Sequence, residues 1–210
     1  MKTKNKNVYN YKKFIRGDLL SIEKMRYPIR VFSVDPGYVK MGVRYEIFYS
    51  KTSSKTISHE VENIGKDEYR WIEEIEKFIK RNLGEDKIED VDICIIEEQM
   101  STNPKMKTIE RIIQTFFWCN NPSCCILSVN SKIKYRHKYF ESIESKKYKE
   151  ASMALCLKIL ENYEEDKEIL KRLSEVKTTK LRSDFADPVL QTYSTLNDFC
   201  LIEKFHEIEI

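Results

Sequence analysis

The chain has 210 residues, of which 41% are hydrophobic and 34% charged, and its net charge is +3. This length and composition indicate one globular domain with a sizeable core and exclude a disordered chain. No apolar run approaches the roughly 20 residues that a membrane span needs. No apolar stretch follows the basic N-terminus as a secretory signal would, so we expect an intracellular protein with no membrane partner.

The chain begins with a basic extension, residues 1–27, and the domain itself is predicted to span residues 28–210. Three strands are predicted next, at residues 29–35, 41–49 and about 55–63. Pro36, Gly37 and Gly42 supply turn chemistry, which favours a hairpin between the first two strands.

Helices and strands alternate in the rest of the chain. Apolar residues recur at helical spacing in 68–82 and 105–118, and further helices are predicted at 146–162 and 184–204. Continuous apolar runs, typical of buried strands, occupy 91–97 and 124–129. This order predicts an α/β fold, a mixed five-stranded sheet flanked by helices. In such sheets, binding sites lie beyond the carboxyl ends of the strands.

Acidic residues stand at the ends of two predicted strands. Asp35 follows the apolar residues 29–34, and Glu97, with Glu98 beside it, follows residues 91–96. A carboxylate at the end of a buried strand is costly unless a positive group lies nearby, although Asp35 alone is also typical of a turn. Successive strand side chains face opposite sides, so Glu97 and Glu98 cannot both enter one site. Glu97 directly follows the strand and is the preferred ligand; Glu98 is the second choice.

A second pair of acids, Asp184 and Asp187, lies three residues apart and therefore on one face of a predicted helix. Alone, the pair is typical of a helix surface. Together with Asp35 and Glu97, it supplies the hard oxygen ligands that Mg²⁺ or Mn²⁺ needs. Two such ions about 4 Å apart stabilise both the attacking and the leaving oxygen in phosphodiester hydrolysis. The acidic residues thus predict a metal-dependent nuclease.

Basic residues cluster in two stretches, although the net charge is small. One is the N-terminal extension, and the other contains the residues predicted to bind DNA: Lys132, Lys134, Arg136, Lys146, Lys147 and Lys149. Local basic patches attract phosphates whatever the total charge. Two clusters in a chain that also carries the four acids favour nucleic acid as the partner.

The cysteines do not form a disulfide framework; they are typical of small buried hydrophobic residues in a reducing compartment. Cys119, Cys124 and Cys125 lie close together in the sequence, but a zinc site would need a second CxxC or HxxxH half nearby.

Three motifs, in this order, resemble those of the RuvC-like Holliday-junction resolvases of the RNase H-like superfamily. They are Asp35-Pro36-Gly37, the apolar run ending in Glu97-x-Gln99, and Asp184-Phe185-Ala186-Asp187. The resemblance runs from about residue 29 to residue 200. The E-x-Q form looks most like the poxviral and fungal mitochondrial branch, whereas the bacterial form, with Glu followed directly by Gln, would select Glu98.

The resemblance implies a Mg²⁺-dependent endodeoxyribonuclease that cuts four-way DNA junctions. Asp35, Glu97, Asp184 and Asp187 would bind two Mg²⁺ ions, for which Mn²⁺ could substitute, and Lys147, with Lys146, would contact the scissile phosphate region. A homodimer through helix 105–118 is also implied. The host-cell cytoplasm or a virus factory would be its location if the chain is viral, and the mitochondrion is the alternative.

Two positions depart from the family pattern. Ser183 stands where many relatives have a second Asp, and Pro188 follows Asp187 where a small helix former is usual. Because proline is tolerated in a first helical turn, we expect the helix to begin near Asp184.

Other functions stay open at this point. A nuclease of the same fold could act on flaps, forks or other branched DNA with the same chemistry. A non-catalytic junction-binding module would use the basic clusters alone, and a small-molecule phosphohydrolase would have no use for them.

Overall fold

A computed structural model of the protein describes residues 12–84, 86–163, 171 and 179–208. Its strands are β1 (Lys12–Arg16), β2 (Ile29–Asp35), β3 (Met41–Ser50), β4 (Ser53–Glu62), β5 (Ile93–Glu97) and β6 (Cys125–Val129). Its α-helices are α1 (Leu19–Glu23), α2 (Trp71–Leu83), α3 (Pro104–Asn120), α4 (Tyr148–Tyr163) and α5 (Thr179–Asp198). Short 3-10 helices include Ser131–Tyr135, Lys138–Ser142 and Ser145–Lys147.

The strands form one mixed sheet in the order β1-β6-β5-β2-β3-β4. The central pairs β2–β5 and β5–β6 are parallel, whereas β2–β3, β3–β4 and β1–β6 are antiparallel. The predicted α/β fold and the β2–β3 hairpin are confirmed. The predicted count of five strands is corrected to six, because β1 pairs with the free edge of β6.

Part of the N-terminal extension therefore belongs to the sheet and core. Besides β1, it contains α1, whose Ile22 is fully buried, and Tyr27, whose hydroxyl donates to the Leu201 carbonyl. Asp18 caps α1 by accepting from the Ser21 amide at 2.7 Å. Residues 1–11, which carry Lys2, Lys4 and Lys6, lie outside the described residues.

Helices cover both faces of the sheet. Val31, Ile93 and Ile95 point into the cluster that contains α4 and α5, whereas their neighbours Phe32 and Cys94 point into the cluster that contains α2 and α3. This alternation follows from the two-residue period of a strand. The central strands are buried on both faces, which explains their continuous apolar sequences.

Helix α5 begins at Thr179 and ends at Asp198, so its predicted bounds of 184–204 are wrong. Pro188 consequently lies inside the helix and not in its first turn. Proline has no amide hydrogen, so the helical bond from position 188 to the Asp184 carbonyl is absent. The helix is thus weakened at the turn that carries the two aspartates.

A buried polar cluster joins α5 to the antiparallel side of the sheet. Glu46 of β3 accepts from the Tyr193 hydroxyl of α5 at 2.6 Å and from Ser54 of β4 at 2.5 Å. Arg44 balances its charge, with Nε 2.6 Å from Oε2 of Glu46. Arg44, Glu46 and Tyr193 are all fully buried.

In the part of the chain that the structure describes, no helix is long and apolar enough to cross a lipid bilayer.

Candidate active site

Asp35 and Glu97 occupy neighbouring positions at the carboxyl edge of the two central strands. Val34 pairs with Ile96 in the parallel β2–β5 ladder, so the next residues on each strand, Asp35 and Glu97, lie side by side. Cross-strand neighbours point to the same face. That face is the one covered by α5, because Ile95, two residues before Glu97, packs there.

Glu97 and Glu98 point in different directions, as the strand period requires. Glu97 is 9% exposed, whereas Glu98 is exposed to solvent. The Glu98 amide still bonds the Val129 carbonyl, at 2.7 Å, so the strand geometry continues through this residue. Glu97 therefore lies on the face that Asp35 shares.

Helix α5 lies directly over the end of β2 because Gly42 leaves room for it. Gly42 pairs with Asp35 across the β2–β3 hairpin. A methyl group at Gly42 would lie 2.9 Å from the Asp184 carbonyl oxygen and 3.2 Å from Cγ of Pro188. The absence of a side chain at Gly42 thus brings the Asp184–Asp187 segment next to Asp35.

Gln191 fixes the same helix to both central strands. Its Nε2 donates to the carbonyls of Val34, at 3.2 Å, and Ile95, at 3.1 Å. Gln191 is fully buried and lies one helical turn after Asp187. These bonds set the position of Asp187 relative to Asp35 and Glu97.

Lys134 lies between two of the acids. Its Nζ is 2.7 Å from Oε2 of Glu97 and 2.7 Å from Oδ2 of Asp187, and the residue is 4% exposed. Lys134 is one of the residues predicted to bind DNA, but the structure buries it among carboxylates. One feature of the sequence is consistent with this position. Lys134 follows shortly after β6, and Val129 of that strand pairs with Glu97.

Burial raises the pKa of Asp35 well above its usual value, and the charge of Glu97 raises it further. Asp187 and Asp184 act in the same direction, and Lys134 opposes them. Burial also raises the pKa of Glu97, although Lys134 offsets part of the effect. Burial lowers the pKa of Lys134, but the neighbouring carboxylates outweigh it, so the ammonium stays charged. The acids are close enough to repel one another.

Asp184 is held differently from the other acids. The Nζ of Lys40, from the loop after β2, lies 3.2 Å from its Oδ2. That oxygen is buried and has no hydrogen bond of good geometry. The Lys40 ammonium therefore balances the charge of this carboxylate.

The side chains suit a hard divalent cation, since all four acids offer carboxylate oxygens and are relieved by positive charge. Among the described residues, no three acid, histidine or cysteine side chains already surround one point as metal ligands. The Lys134 ammonium takes up one oxygen each of Glu97 and Asp187.

The remaining predicted basic residues are more exposed than Lys134. Lys132, Lys146, Lys147 and Lys149 are exposed, and Lys146 pairs with Glu144 at 2.8 Å. Arg136 is partly buried and pairs with Asp198. Within the described residues, no ion pair joins Lys147 to the four acids; it ends the 3-10 turn just before α4.

A mixed sheet with helices on both faces, and with acids at the carboxyl ends of β2 and β5, has the RuvC-type, RNase H-like fold. Solved structures agree. The yeast mitochondrial Holliday junction resolvase Ydc2 superposes with a TM-score of 0.59 over 90% of this chain and 88% of its own, at 12% identity. Thermus thermophilus RuvC matches with a TM-score of 0.54 over 80% of this chain and 96% of its own, also at 12% identity.

RuvC from the same bacterium in complex with a Holliday junction substrate matches over the same shares of the two chains, with a TM-score of 0.50. No protein-family model matches the sequence, and no curated protein matches it. At 12% identity the likeness establishes the fold of this protein.

We predict that Asp35→Asn raises the free energy of unfolding in EDTA at neutral pH. The folded state raises the pKa of Asp35 above 3.8, so it holds a proton that the unfolded chain releases. The stability contributed by neutral Asp35 is complete below that value and is lost as pH rises through the folded-state pKa. Urea unfolding measured from about pH 4 upward should show that the free energy of unfolding of D35N rises relative to that of the wild type as the pH increases.

Glu98→Gln serves as the control, because this neighbouring carboxylate is exposed. It should show no such pH-dependent gain. A D35N protein no more stable than wild type at pH 7 would contradict the carboxylate crowding.

We also predict that Lys134→Met destabilises the protein by about 3–5 kcal/mol at pH 7 in EDTA, since it leaves two buried carboxylates without their cation. Lys146→Met, which removes an exposed partner of Glu144, should cost less than about 1 kcal/mol. Denaturant unfolding of both variants measures the difference. Equal losses would show that Lys134 is not required to balance the acids.

Proposed function

We propose that this protein is a structure-specific endonuclease that resolves four-way DNA junctions in DNA recombination by metal-dependent phosphodiester hydrolysis. The observation that carries the proposal is the meeting of Asp35, Glu97 and Asp187 beside Lys134 at the carboxyl edge of the sheet. This edge is where ligands bind in open α/β sheets. The matching fold of two junction resolvases supports the choice of reaction.

Asp35, Glu97, Asp184 and Asp187 are the residues that would hold two Mg²⁺ ions, with Mn²⁺ as a substitute. Bound there, the metal would lower the pKa of a water and stabilise charge on the leaving oxygen. Asp35 and Glu97 are fixed by neighbouring strands, and Asp187 by the helix that Gln191 ties to both. Asp184, whose charge Lys40 balances, would offer a fourth carboxylate for the same role.

Lys134 is assigned a place within this site instead of on the outer DNA surface. Its buried ammonium holds Glu97 and Asp187 together, because these two carboxylates would otherwise repel each other. With cations bound to these acids, the Lys134 ammonium would be available to a DNA phosphate, where positive charge stabilises the transition state.

The exposed basic residues would hold the DNA arms. Lys132, Lys146 and Lys147 lie in the short 3-10 turns between β6 and α4, the segment that also carries Lys134, and Lys149 lies in the first turn of α4. Lysines in such positions contact phosphates without reading the base sequence. Lys147 remains our candidate for the contact nearest the cut.

A homodimer would present two such sites to one four-way junction. A groove of about 530 Å³ between α2 and α3 is lined by Ile72, Ile75, Ile112, Phe116 and Cys119, among others. Ile72 is 66% exposed, which is unusual for isoleucine on a helix. A second copy of the chain, packing along α3, would cover this apolar surface.

The decisive experiment is cleavage of a four-way junction in Mg²⁺ by the wild type and by Asp35→Asn, Glu97→Gln and Asp187→Asn. Each loses a carboxylate but little volume, so we expect at least about a 100-fold loss of rate, since the metal supplies several kcal/mol. Junction binding in EDTA should persist, because the basic residues are intact.

Glu98→Gln is the matched control and should cleave like the wild type, because its side chain is exposed on the other face. Cleavage that survives in D35N, or is lost in E98Q, would refute the assignment of the site. Flap, fork and linear substrates run in parallel separate a junction resolvase from a nuclease for other branched DNA. Binding without any cleavage would indicate a non-catalytic module.

We predict that Ile72→Asp converts the protein from a dimer to a monomer, since it places a charge in the apolar groove. Tyr49→Asp is the control, because Tyr49 is also exposed, at 47%, but lies near the end of β3 outside the groove. Sedimentation equilibrium measures both masses. A wild type that sediments as a monomer, or an I72D protein that still dimerises, would exclude this dimer surface.

A further inference from the structure

His59, a residue outside the four acids, contacts the backbone between Asp184 and Asp187. His59 lies on β4 and is 3% exposed. Its Nε2 is 2.8 Å from the carbonyl oxygen of Phe185, and its ring lies 5.2 Å from the Phe185 ring. A carbonyl oxygen only accepts, so Nε2 carries the hydrogen.

Arg44 contacts the other nitrogen of the same imidazole ring. Its Nη1 is 3.2 Å from Nδ1 of His59. A guanidinium only donates, so Nδ1 is the acceptor and the imidazole is the neutral Nε2–H tautomer. Arg44 is itself held by Glu46, which Tyr193 of α5 also contacts. Glu46, Arg44 and His59 therefore connect two positions of α5, Tyr193 and Phe185, through a continuous series of contacts.

Phe185 lies in the turn of α5 that lacks one of its own helical hydrogen bonds. Pro188 cannot donate to the Asp184 carbonyl, so the turn that bears both aspartates has lost a helical hydrogen bond. His59 bonds the next carbonyl along, that of Phe185. A metal site tolerates displacements of only about 0.5 Å in its ligands, so a loosely held turn would bind cations weakly.

We propose that His59, oriented by Arg44, is a positioning residue that holds the Asp184–Asp187 turn in the geometry needed to bind divalent cations. The inference rests on the proposed function, since it assigns these aspartates as ligands. His59 does not touch the reacting groups. It acts through the Phe185 carbonyl, and the buried Arg44–Glu46 pair fixes its tautomer.

The test measures Mn²⁺ binding to the whole protein without DNA by electron paramagnetic resonance. Thermal unfolding in EDTA is measured on the same variants. His59→Leu removes the donor to Phe185 and should weaken Mn²⁺ binding about 10-fold or more, as loss of outer partners of metal ligands does. His59→Gln offers one donor and one acceptor and should restore most of the affinity.

Asn121→Leu separates positioning from general loss of stability. Asn121 is fully buried and also donates to backbone carbonyls, those of Ile88 and Val91, but near the start of β5 and far from the acids. It should unfold at a lower temperature and bind Mn²⁺ like the wild type. If His59→Leu does not fold, His59→Asn, too short to span both partners, replaces it.

Wild-type affinity in His59→Leu, or an equal loss in Asn121→Leu, would overturn the positioning role while leaving the proposed function intact. A wild type that neither binds Mn²⁺ nor cleaves junctions would overturn both. Weak binding in His59→Leu, recovery in His59→Gln and no change in Asn121→Leu would support the proposal.

Discussion

The repulsion among carboxylates at one edge of the sheet is the constraint on which the rest of the structure depends. Burial, followed by the charges of Glu97 and Asp187, raises the pKa of Asp35, and Lys134 is the cation that makes the arrangement tolerable. Such a cluster contributes nothing to folding by itself. In the proposed function, bound cations would relieve this repulsion.

The helix that carries Asp184 and Asp187 is held to the sheet by contacts of three kinds. Gly42 allows close approach, Gln191 bonds the backbone of both central strands, and a buried Arg–Glu pair anchors the helix farther along. Each of these contacts between the helix and the sheet joins residues at least 96 positions apart along the chain. The geometry of the acids is therefore a property of the whole fold and not of any local motif.

The strands that carry Asp35 and Glu97 could be predicted because continuous apolar runs reveal buried parallel strands, and because Pro36 and Gly37 end the first of them. Strand β1 could not, since its lysines and arginine hide the pairing that β6 provides. The place of Lys134 depends on two acids far away in the sequence. Pro188 misled the prediction of α5, because a helix interior holds proline only where tertiary contacts compensate.

Strand β1 also determines how the sheet meets its surroundings. Without it, β6, a fully buried strand of apolar character, would present a row of unpaired backbone groups, a template for pairing with other chains. The strand that takes this place is only five residues long and carries Lys12, Lys13 and Arg16. Short, charged edge strands discourage such pairing. Strand β1 thus gives the sheet a short, charged edge in place of an apolar one.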